Sequence, residues 1–577
     1  MCNPQRQFGA KIFLLFVLLT LPFHNVNAVN WLFKNGKSNY QIIISNESSI
    51  SEITAARELQ FYIKQISGVI LPIDSVVNSN KRYIYVGYSP KVAELTGALK
   101  PESNDESFNY CLIDNDLFIW GGSQRGTIYG VFSFLERELG VHWLTPDCTI
   151  VPSRERWRIP RLNHHEIPAI SYRYNNYKVS HGHLAWSAHN KENMRGPFIN
   201  RYGNQEGYWG CHTMGELVNG SEFLQSHPDF FSLRKGRRVK EQLCLSNPKV
   251  LELCKDRLTK VMRDHPEYRI YDLSQNDNNS YCECEKCKEL EDQYGGHSGI
   301  IIWFVNQVAD AVREEFPDKY IGTFAYRYSR KPPTGIVPRD NVVIRLCSIE
   351  CCFAHPIEGN CPQNKEFMED LRGWSAIAPH LFIWDYIVDF SQYLAPWPNF
   401  QVLAPNIRTF RDNNVLGVFE EANYQAKGGE FDEMKSWVVN QLLWNPNQNT
   451  DSLVNIFIKG YYGEAAPKVK AYYRLCKSLV KRDKHFDIYI REDHEIYNDR
   501  FIERALALLS DAIMMAENEE ARERVERVYM QPLYLQCVRN KEKSRKDGSL
   551  DKLEHLMRKH NARPSEHQTL EQFLSHN

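Results

Sequence analysis

Residues 268–287, YRIYDLSQNDNNSYCECEKC, contain the pattern that decides the fold of this chain. The first six residues predict a short strand, and the polar run at 274–277 ends it because these side chains cannot all lie in an apolar core. A strand that ends in a carboxylate and amides is typical of a (β/α) barrel, where catalytic groups follow the carboxyl ends of the strands. Taken alone, such a run is more often a solvated loop in which Asp277 caps the next helix. The barrel interpretation therefore depends on the rest of the chain.

Length and charge narrow the class of protein. A chain of 577 residues is too long for one hydrophobic core, so more than one domain is expected. The net charge of -1 gives no indication of nucleic-acid binding or of a polybasic membrane surface. The 30 tyrosines, 29 phenylalanines and 12 tryptophans are mainly expected in cores, with a minority available to stack on sugar rings.

Residues 1–28 have the pattern of a secretory signal peptide. Arg6 and Lys11 precede the apolar run IFLLFVLLTL at 12–21, which is shorter than the roughly 20 residues that span a bilayer. Val26, Asn27 and Ala28 form a small-x-small cleavage pattern. The chain is expected to be exported to the periplasm or the medium and to have no membrane span after processing.

Three regions follow the predicted signal peptide. Residues 29–165 predict a small α/β domain with helices on a sheet, and residues 451–577 predict a helical domain. Residues 166–450 alternate strand and helix patterns, which predicts a (β/α)8 TIM-type barrel. The strand candidates of this barrel lie at 170–174, 242–245, 268–273, 319–328, 341–350, 380–386 and 417–421.

Acidic side chains accumulate at the ends of these predicted strands. A glycosidase needs a proton donor and a second carboxylate at the scissile bond, and four such strand ends fit that requirement. The catalytic candidates, in order of preference, are Glu350, Asp277 and Glu420, followed by Asp385. The candidates for substrate binding are Asn276, Tyr326, Tyr328, Trp384, Tyr386, His212, Glu421 and Tyr424. Because adjacent strand residues face opposite sides, one of Glu420 and Glu421 is expected to point away from the site.

The cysteines form two groups in the sequence. Cys282, Cys284 and Cys287 have the spacing of metal ligands, but three ligands fall short of the four of a structural zinc site. The second group comprises Cys347, Cys351, Cys352 and Cys361. In an oxidising compartment, disulfides or free buried thiols are expected rather than zinc, so neither a metal nor a cofactor is predicted.

The N-terminal region resembles a known domain. The segments AARELQFYIKQISG, YIYVG and LFIWGGSQRGTIYGVFSFLERELGVHWLTPD are similar to the N-terminal domain of the α-glucuronidases of glycoside hydrolase family 67. A similar domain precedes the barrel of β-hexosaminidases. The resemblance covers about residues 30–160 and implies a companion domain without a catalytic role.

The central region resembles glycoside hydrolase family 163. The resemblance is carried, over about residues 165–465, by LSQNDNNSYCECEKC, VVIRLCSIECCFAHPI, LFIWDYIVDFSQYLAPWPNF and VLGVFEEANYQAKGGEFDEMKSWVVNQLLWNP. It implies an endo-β-N-acetylglucosaminidase that acts on complex N-glycans at a GlcNAc–mannose linkage, with a glycan or glycoprotein as its substrate.

The barrel is also similar to that of the α-glucuronidases, which use carboxylates on strands four, six and seven. Those positions correspond here to Asp277, Glu350 and Asp385. The glucuronidases have Glu on strand four where this chain has Asp277, so the identity of the acid stays open.

Two other functions remain open from the sequence. An α-glucuronidase needs a cation for the uronate carboxylate, preferably a bidentate arginine. Arg327 and Arg345 are available, but alternation from Tyr326 and Glu350 turns both away from the predicted site. A non-catalytic glycan-binding protein would keep the aromatic residues and need no carboxylate pair. The linkage, the stereochemical outcome and the oligomeric state are left open.

Export makes a direct prediction about the native N-terminus. If residues 1–28 are removed, N-terminal sequencing of protein from its native host should begin at Val29. A native chain that retains Met1 would show that this segment is not a cleaved signal.

Overall fold

The computed structural model describes residues 30–78, 80–198 and 200–576. The predicted signal peptide at 1–28 lies outside these residues. Within the described part of the chain, no helix combines the length and the apolar character needed to cross a bilayer.

The first part of the chain folds around a six-stranded mixed sheet. Strand β2 pairs in parallel with β3 and β4, β4 pairs in parallel with β6, and β5 and β10 complete the sheet in antiparallel fashion. The elements are β1 (Trp31–Lys34), β2 (Tyr40–Ile43), α1 (Ile50–Ser67), β3 (Ile73–Asp74), β4 (Arg82–Val86), α2 (Pro90–Thr96), β5 (Phe108–Ile113), β6 (Asp116–Gly121), α3 (Gly126–Arg137), β7 (His142–Thr145), β8 (Cys148–Ile150), β9 (Arg156–Arg158) and β10 (Asn163–Glu166).

Local sequence explains why α1 has these bounds. Ser49 accepts a hydrogen bond from the backbone N–H of Glu52, and the Glu52 carboxylate accepts one from the backbone N–H of Ser49, which forms a capping box. Gly68 ends the helix with φ of 76°, a left-handed conformation that glycine adopts without steric cost.

The central part contains a curled sheet of seven parallel strands in the order β11-β19-β18-β17-β16-β15-β12. Its elements are β11 (Tyr172–Asn175), α4 (Leu184–His189), β12 (Tyr208–Trp209), α5 (Met214–Leu217), α6 (Gly220–Phe223), β13 (Phe231–Arg234), β14 (Arg237–Leu243), α7 (Pro248–Asp264), β15 (Ile270–Asp272), α8 (Glu285–Tyr294), α9 (His297–Val312), β16 (Tyr320–Ala325), β17 (Val342–Cys347), α10 (Lys365–Ile377), β18 (His380–Tyr386), α11 (Phe400–Asp412), β19 (Val415–Glu421) and α12 (Asp432–Trp444).

The sheet matches the predicted (β/α)8 topology in part. The first strand in sequence, β11, pairs directly with the last, β19, as the first and eighth strands of such a barrel do. Between β11 and β12, however, the chain supplies a single bridging residue instead of a strand. The backbone N–H of Asn193 donates to Arg173 O at 3.2 Å, and Asn193 O accepts from the backbone N–H of Glu206 at 3.0 Å. The described sheet therefore has seven strands rather than eight.

One predicted barrel strand lies outside this sheet. Residues 242–245 overlap the end of β14, which forms an antiparallel hairpin with β13. The position next to β15 is taken instead by β12, which pairs through Tyr208 and Trp209. The two residues of β12 are too few to show the alternation of apolar and polar side chains by which a strand is recognised in a sequence.

The end of the chain is helical, as predicted. Helix α13 packs on α12, and α16 contacts α13, so the helical region is attached to the side of the sheet. The helices are α13 (Thr450–Tyr462), α14 (Ala466–Lys477), α15 (Asp499–Met515), α16 (Glu519–Arg539), α17 (Lys541–Lys546), α18 (Ser549–Lys559) and α19 (Leu570–His576).

A buried ion cluster joins the two sheets. Glu106, which precedes β5, forms ion pairs with Arg173 on β11 and with Arg125, and all three side chains are at most 7% exposed. Asn193 Nδ2 donates to Glu106 Oε1 at 2.8 Å. Burial would raise the pKa of Glu106, but the guanidinium groups of Arg173 and Arg125 hold it below the ordinary value. The same residues therefore close the gap beside β11 and dock the N-terminal sheet.

We expect the substitution Glu106→Gln to lower the free energy of unfolding by about 3–5 kcal/mol, because it leaves two buried guanidinium groups without a counter-charge. Denaturant titration would measure the change. The control is Glu94→Gln, which breaks an exposed pair with Lys91 and should change stability by about 0.5 kcal/mol or less. Equal effects of the two substitutions would contradict a stabilising role of the cluster.

Candidate active site

A cleft with a volume of about 340 Å³ lies at the carboxyl ends of the seven parallel strands. Each strand contributes to its lining, as expected for a site in this class of fold. The lining residues that the sequence predicted are His212, Asp277, Tyr326, Trp384, Tyr386, Glu421 and Tyr424. The lining residues that it missed are Asn176, Cys211, Phe324, Cys347, Ile349, Phe390, Phe419, Ile488, Tyr489 and Glu566.

The register of β18 and β19 decides which carboxylates face the cleft. Asp385 is paired with Glu420, and Tyr386 is paired with Glu421. Neighbouring residues of a strand point to opposite faces, and paired residues of adjacent strands share a face. Tyr386 and Glu421 line the cleft, whereas Asp385 and Glu420 are buried on the other face of the sheet. The expected division between Glu420 and Glu421 is thus observed, and it is Glu421 that faces the cleft.

Glu421 has the environment of a carboxylic acid that keeps its proton. Its Oε2 accepts a hydrogen bond from Trp384 Nε1 at 2.7 Å. Burial raises the pKa of Glu421 to about 8, with further contributions from the negative charges of Glu566 and Asp277, although the Trp384 hydrogen bond opposes this shift. Glu421 is therefore largely protonated at neutral pH and can donate a proton inside the cleft.

Asp277 supplies a second carboxylate in a different setting. Its side chain is 53% exposed, and its Oδ1 accepts a hydrogen bond from the Tyr326 hydroxyl at 2.8 Å. Arg327 Nε lies 3.3 Å from the same oxygen. Both contacts fall on Oδ1, so Oδ2 is the oxygen that a bound molecule can reach. The cleft thus combines one protonated acid with one solvated, hydrogen-bonded carboxylate.

A third carboxylate, Glu566, reaches the cleft from the loop between α18 and α19. Its backbone N–H donates to Phe390 O at 3.0 Å, which fixes the loop against the segment that follows β18. Burial raises the pKa of Glu566, and the Asp277 charge adds to the shift against the opposing effects of His567 and Arg563. No pattern near Glu566 in the sequence indicates a site, because it belongs to a loop of a helical region.

Residues 143–474 match a known protein family, described as a domain of unknown function (DUF4838), and the match covers more than half of the chain. The chain belongs to this family. No curated protein matches the chain in sequence.

Solved structures place this DUF4838 protein among folds of glycoside hydrolases. A family GH115 4-O-methyl-α-glucuronidase, BtGH115A, with specificity for decorated arabinogalactans is 13% identical with a TM-score of 0.57, over 91% of this chain and 77% of its own. CpGH89 from Clostridium perfringens, solved with its substrate GlcNAc-α-1,4-galactose, is 9% identical with a TM-score of 0.50, over 89% of this chain and 65% of its own. At such identities the likeness is one of fold alone.

Glu350, the first catalytic choice from the sequence, lies outside the cleft of the DUF4838 protein. It follows the end of β17, and its side chain is 41% exposed. Its Oε2 lies 3.0 Å from Arg330 Nη1, and Arg330 also pairs with Glu366 and Asp370. Glu350 therefore belongs to an ion-pair network, and its position does not support a role in proton transfer.

Two residues predicted to bind substrate make contacts within the protein and do not line the cleft. Asn276 Nδ2 donates to Glu241 O at 2.7 Å, and its Oδ1 accepts from the backbone N–H of Gly215 at 3.1 Å, so its amide fixes the loop. The Tyr328 ring lies 5.3 Å from that of Tyr281 in a small separate cavity.

His212, in contrast, lines the cleft with a defined ring orientation. Its Nδ1 lies 2.6 Å from Gln275 O, so Nδ1 carries a proton and donates it. This hydrogen bond fixes the orientation of the ring.

Asp385 and Glu420 form a buried pair behind the cleft. The Ser348 hydroxyl donates to Asp385, and burial raises the pKa of Asp385 to about 6. Burial, together with the Asp385 charge, holds the pKa of Glu420 well above its ordinary value. Glu420 Oε2 has no hydrogen-bond partner in the part of the chain that the structure describes. Burial therefore disfavours the charged form of both residues, yet neither residue lines the cleft.

Arg345 differs from its predicted orientation. Its guanidinium carbon lies 3.6 Å from the centroid of Tyr208 and 5.0 Å from that of Trp384, on the same side of the sheet as the cleft. The predicted orientation assumes that Glu350 and Arg345 belong to one strand. Because β17 ends at Cys347, Glu350 lies beyond the strand, and the alternation of side chains does not relate the two residues. Arg345 fills the space below the cleft and is 7% exposed.

Disulfides and free buried thiols were the two expected states, and the fourteen cysteines of the described residues are all free, most of them buried. Cys282, Cys284 and Cys287 converge with Cys244, so the fourth ligand that the sequence pattern lacked comes from the end of the β13–β14 hairpin. A second group contains Cys352, His355, Cys361 and His485. The missing fourth ligand was one of the two arguments against a bound metal, and Cys244 supplies that ligand.

Glu421 makes a prediction that does not depend on catalysis. The protonated-carboxyl infrared band lost in Glu421→Gln should titrate near pH 8 in the unmodified protein. Trp384→Phe should raise this midpoint, because the Trp384 hydrogen bond stabilises the charged form.

Stability gives a second readout with a defined sign. The folded-state pKa of Glu421 is raised from 4.5 to about 8, so its contribution to stability is full below the lower value and lost as pH rises to the higher one. The stability of the unmodified protein relative to Glu421→Gln should fall across that window. A difference that is constant with pH would show that Glu421 titrates normally.

Proposed function

We propose that this protein is a glycoside hydrolase in which Glu421 is the proton donor and Asp277 is the second carboxylate. The observation that carries the proposal is the position of Glu421, whose pKa burial raises, in a cleft that also holds the exposed carboxylate of Asp277. Aromatic walls from Tyr326, Trp384 and Tyr386 supply apolar faces on which a sugar ring can stack. The fold shared with glycoside hydrolases is compatible with this chemistry.

In this mechanism Glu421 donates its proton to the glycosidic oxygen as the bond to the anomeric carbon breaks. Positive charge then develops on the sugar ring. The carboxyl groups of Asp277, Glu421 and Glu566 around the cleft stabilise this charge. Asp277 stays in place through Tyr326 and Arg327, so its free oxygen can orient the substrate or activate water. Glu421 becomes a carboxylate that the Trp384 N–H stabilises.

We further propose that the substrate is a complex N-glycan cleaved at an N-acetylglucosamine. The proposal rests on the resemblance of the sequence motifs to glycoside hydrolase family 163. A 2-acetamido group can supply its own oxygen to the anomeric carbon, an exception to the scheme with two catalytic carboxylates. Asp277 would then accept a hydrogen bond from the acetamido N–H. This role needs a carboxylate that the acetamido N–H can reach. The exposed side chain of Asp277, beside Arg327, meets this requirement.

The charge of the cleft argues against a uronic acid as substrate. Asp277 lines it as an exposed carboxylate, no Arg or Lys of the described residues lines it, and Arg327 is already paired with Asp277. A uronate carboxylate would bring a second negative charge close to Asp277 without a lining Arg or Lys to pair with. A neutral N-acetylated sugar meets no such repulsion.

The domain organisation completes the proposal. An exported chain would have an N-terminal α/β domain at 29–165, a catalytic (β/α) barrel at 166–450 and a helical domain at 451–577. The helical domain would contribute to the site itself, because Tyr489 and Glu566 both line the cleft.

Substitution of the two carboxylates tests the mechanism. Glu421→Gln should lower the turnover of a complex N-glycan by about 10²–10⁴-fold, since it removes the transferable proton and keeps the shape. Asp277→Asn should also reduce turnover. Glu350→Gln is the matched control, because it changes the same functional group outside the cleft. A large loss in Glu350→Gln with an active Glu421→Gln would reverse the assignment.

Product analysis tests the substrate. The protein should be incubated with complex N-glycans and with glucuronoxylan fragments, and the products should be read by mass. Release of arms that carry a reducing N-acetylglucosamine is expected, with no release of glucuronic acid. Measurable glycan affinity without any product would instead support a non-catalytic binding protein.

A further inference from the structure

The first metal-like cluster joins the β13–β14 hairpin to the loop that follows β15. Cys244 lies directly after β14, Cys282 lies in the loop, and Cys284 and Cys287 lie at the start of α8. The ligand atoms of the four residues are all within 4.8 Å of one another. The Cys244 sulfur is 3.6 Å from that of Cys284 and 3.8 Å from that of Cys287.

These separations fit a tetrahedral metal and not a disulfide. Zn–S bonds of about 2.3 Å place the sulfurs of a tetrahedral site about 3.8 Å apart. A disulfide needs its sulfurs about 2.0 Å apart and joins them in pairs, whereas here one sulfur has several equivalent neighbours. Four cysteines also complete a closed site, since a structural zinc takes four protein ligands.

The surroundings of this cluster suit negatively charged sulfur. The backbone N–H of Leu233 donates to the Cys282 sulfur at 3.3 Å, and Arg238 Nη1 lies 3.9 Å from the same atom. Four thiolates on a divalent ion leave a net charge of -2, and the nearby Arg238 guanidinium offsets half of it. Donors around the ligands are the usual second layer of a metal site.

The second cluster joins the loop after β17 to the segment between α14 and α15. The Cys352 sulfur lies 3.4 Å from His355 Nδ1, and the Cys361 sulfur lies 3.6 Å from His485 Nδ1. All four ligand atoms are within 4.8 Å of one another. Zinc bonds of about 2.3 Å to sulfur and 2.0–2.1 Å to nitrogen place such a pair about 3.5 Å apart in a tetrahedron.

The orientation of His355 also fits a metal ligand. Its Nε2 lies 3.3 Å from Lys481 O, so the proton belongs on Nε2 and the Nδ1 lone pair points into the cluster. A ligating histidine commonly donates its other ring N–H to a backbone carbonyl in this way.

We propose that the protein binds two structural zinc ions, one held by Cys244, Cys282, Cys284 and Cys287 and the other by Cys352, His355, Cys361 and His485. All four positions of each ion are filled by protein, which excludes a direct part in catalysis. Each ion would instead hold one wall of the cleft.

The first zinc site fixes the loop that carries Asp277. Gln242 on β14 already donates to Asn276 O at 2.7 Å, and the zinc would add a rigid link between the same two segments. The second site ties the β17 loop to the segment that brings Ile488 and Tyr489 to the cleft, next to the hydrogen bond from Phe353 N–H to Phe486 O at 2.9 Å.

Metal analysis of the full-length protein, purified without chelator or affinity metal, tests the proposal directly. Elemental analysis should find two zinc ions per chain. X-ray absorption at the zinc edge should give an average of three sulfurs and one nitrogen per ion, since the sites together supply six sulfurs and two nitrogens. This readout needs no substrate, so an inert protein with two zinc ions would refute only the proposed glycosidase.

Single substitutions assign the ions to their clusters. Cys284→Ser and His485→Gln should each reduce the zinc content from two ions to one. The matched control is Cys254→Ser, which changes a buried cysteine on α7 outside both clusters and should keep both ions. If a variant fails to fold, chelator-induced release from the unmodified protein, followed with a colorimetric dye, should still yield two zinc ions.

Three results would overturn the proposal. One is native protein without zinc whose cluster thiols all react as free groups. Another is a disulfide between cluster cysteines in non-reducing peptide mapping. The third is stoichiometric iron, visible by its colour, in place of zinc. A single zinc ion that only one of the two variants removes would overturn the assignment of the other cluster.

Discussion

The parallel register between β18 and β19 determines which carboxylates can meet a substrate. Pairing of Tyr386 with Glu421 turns both side chains into the cleft, and pairing of Asp385 with Glu420 buries both behind it. A shift of β19 by one residue relative to β18 would bring Glu420 into the cleft in place of Glu421, because side chains alternate along a strand. The chemistry of the cleft therefore depends on hydrogen bonds between strands that contain no catalytic atom.

Burial raises the pKa of acidic side chains at two places, one behind the sheet and one in the cleft. Behind the sheet, Asp385 and Glu420 have few polar partners, and burial raises the pKa of both. In the cleft, Glu421 is buried as well, but it has one good donor in Trp384 and an open side toward the cavity. An acid with a raised pKa that can reach a ligand is useful in catalysis, whereas an acid behind the sheet cannot meet a ligand in the cleft.

Segments that are distant in sequence from the parallel strands complete the lining of the cleft. The segment after β18 acts as the attachment point: Phe390 donates its N–H to Ile488 O and accepts at its own carbonyl from Glu566. These two backbone hydrogen bonds bring residues from the helical region over the cleft. Of the two cysteine and histidine clusters, the one that contains His485 joins the loop after β17 to the same segment that carries Ile488.

From the sequence alone, alternating strand and helix patterns predicted a parallel sheet and a helical region after it, but not that the described sheet has seven strands instead of eight. Apolar strands that end in polar residues located Asp277, Tyr326, Trp384, Tyr386 and Glu421, because alternation and strand ends are local properties of the chain. Tertiary structure decided the rest. It moved Glu350 to an ion-pair network, placed Arg345 below the cleft, and brought in Glu566 and Cys244, since contacts between residues far apart in sequence leave no local pattern. It also decided that Glu421 holds a proton, because a pKa depends on burial and on neighbouring charges that only the folded chain assembles.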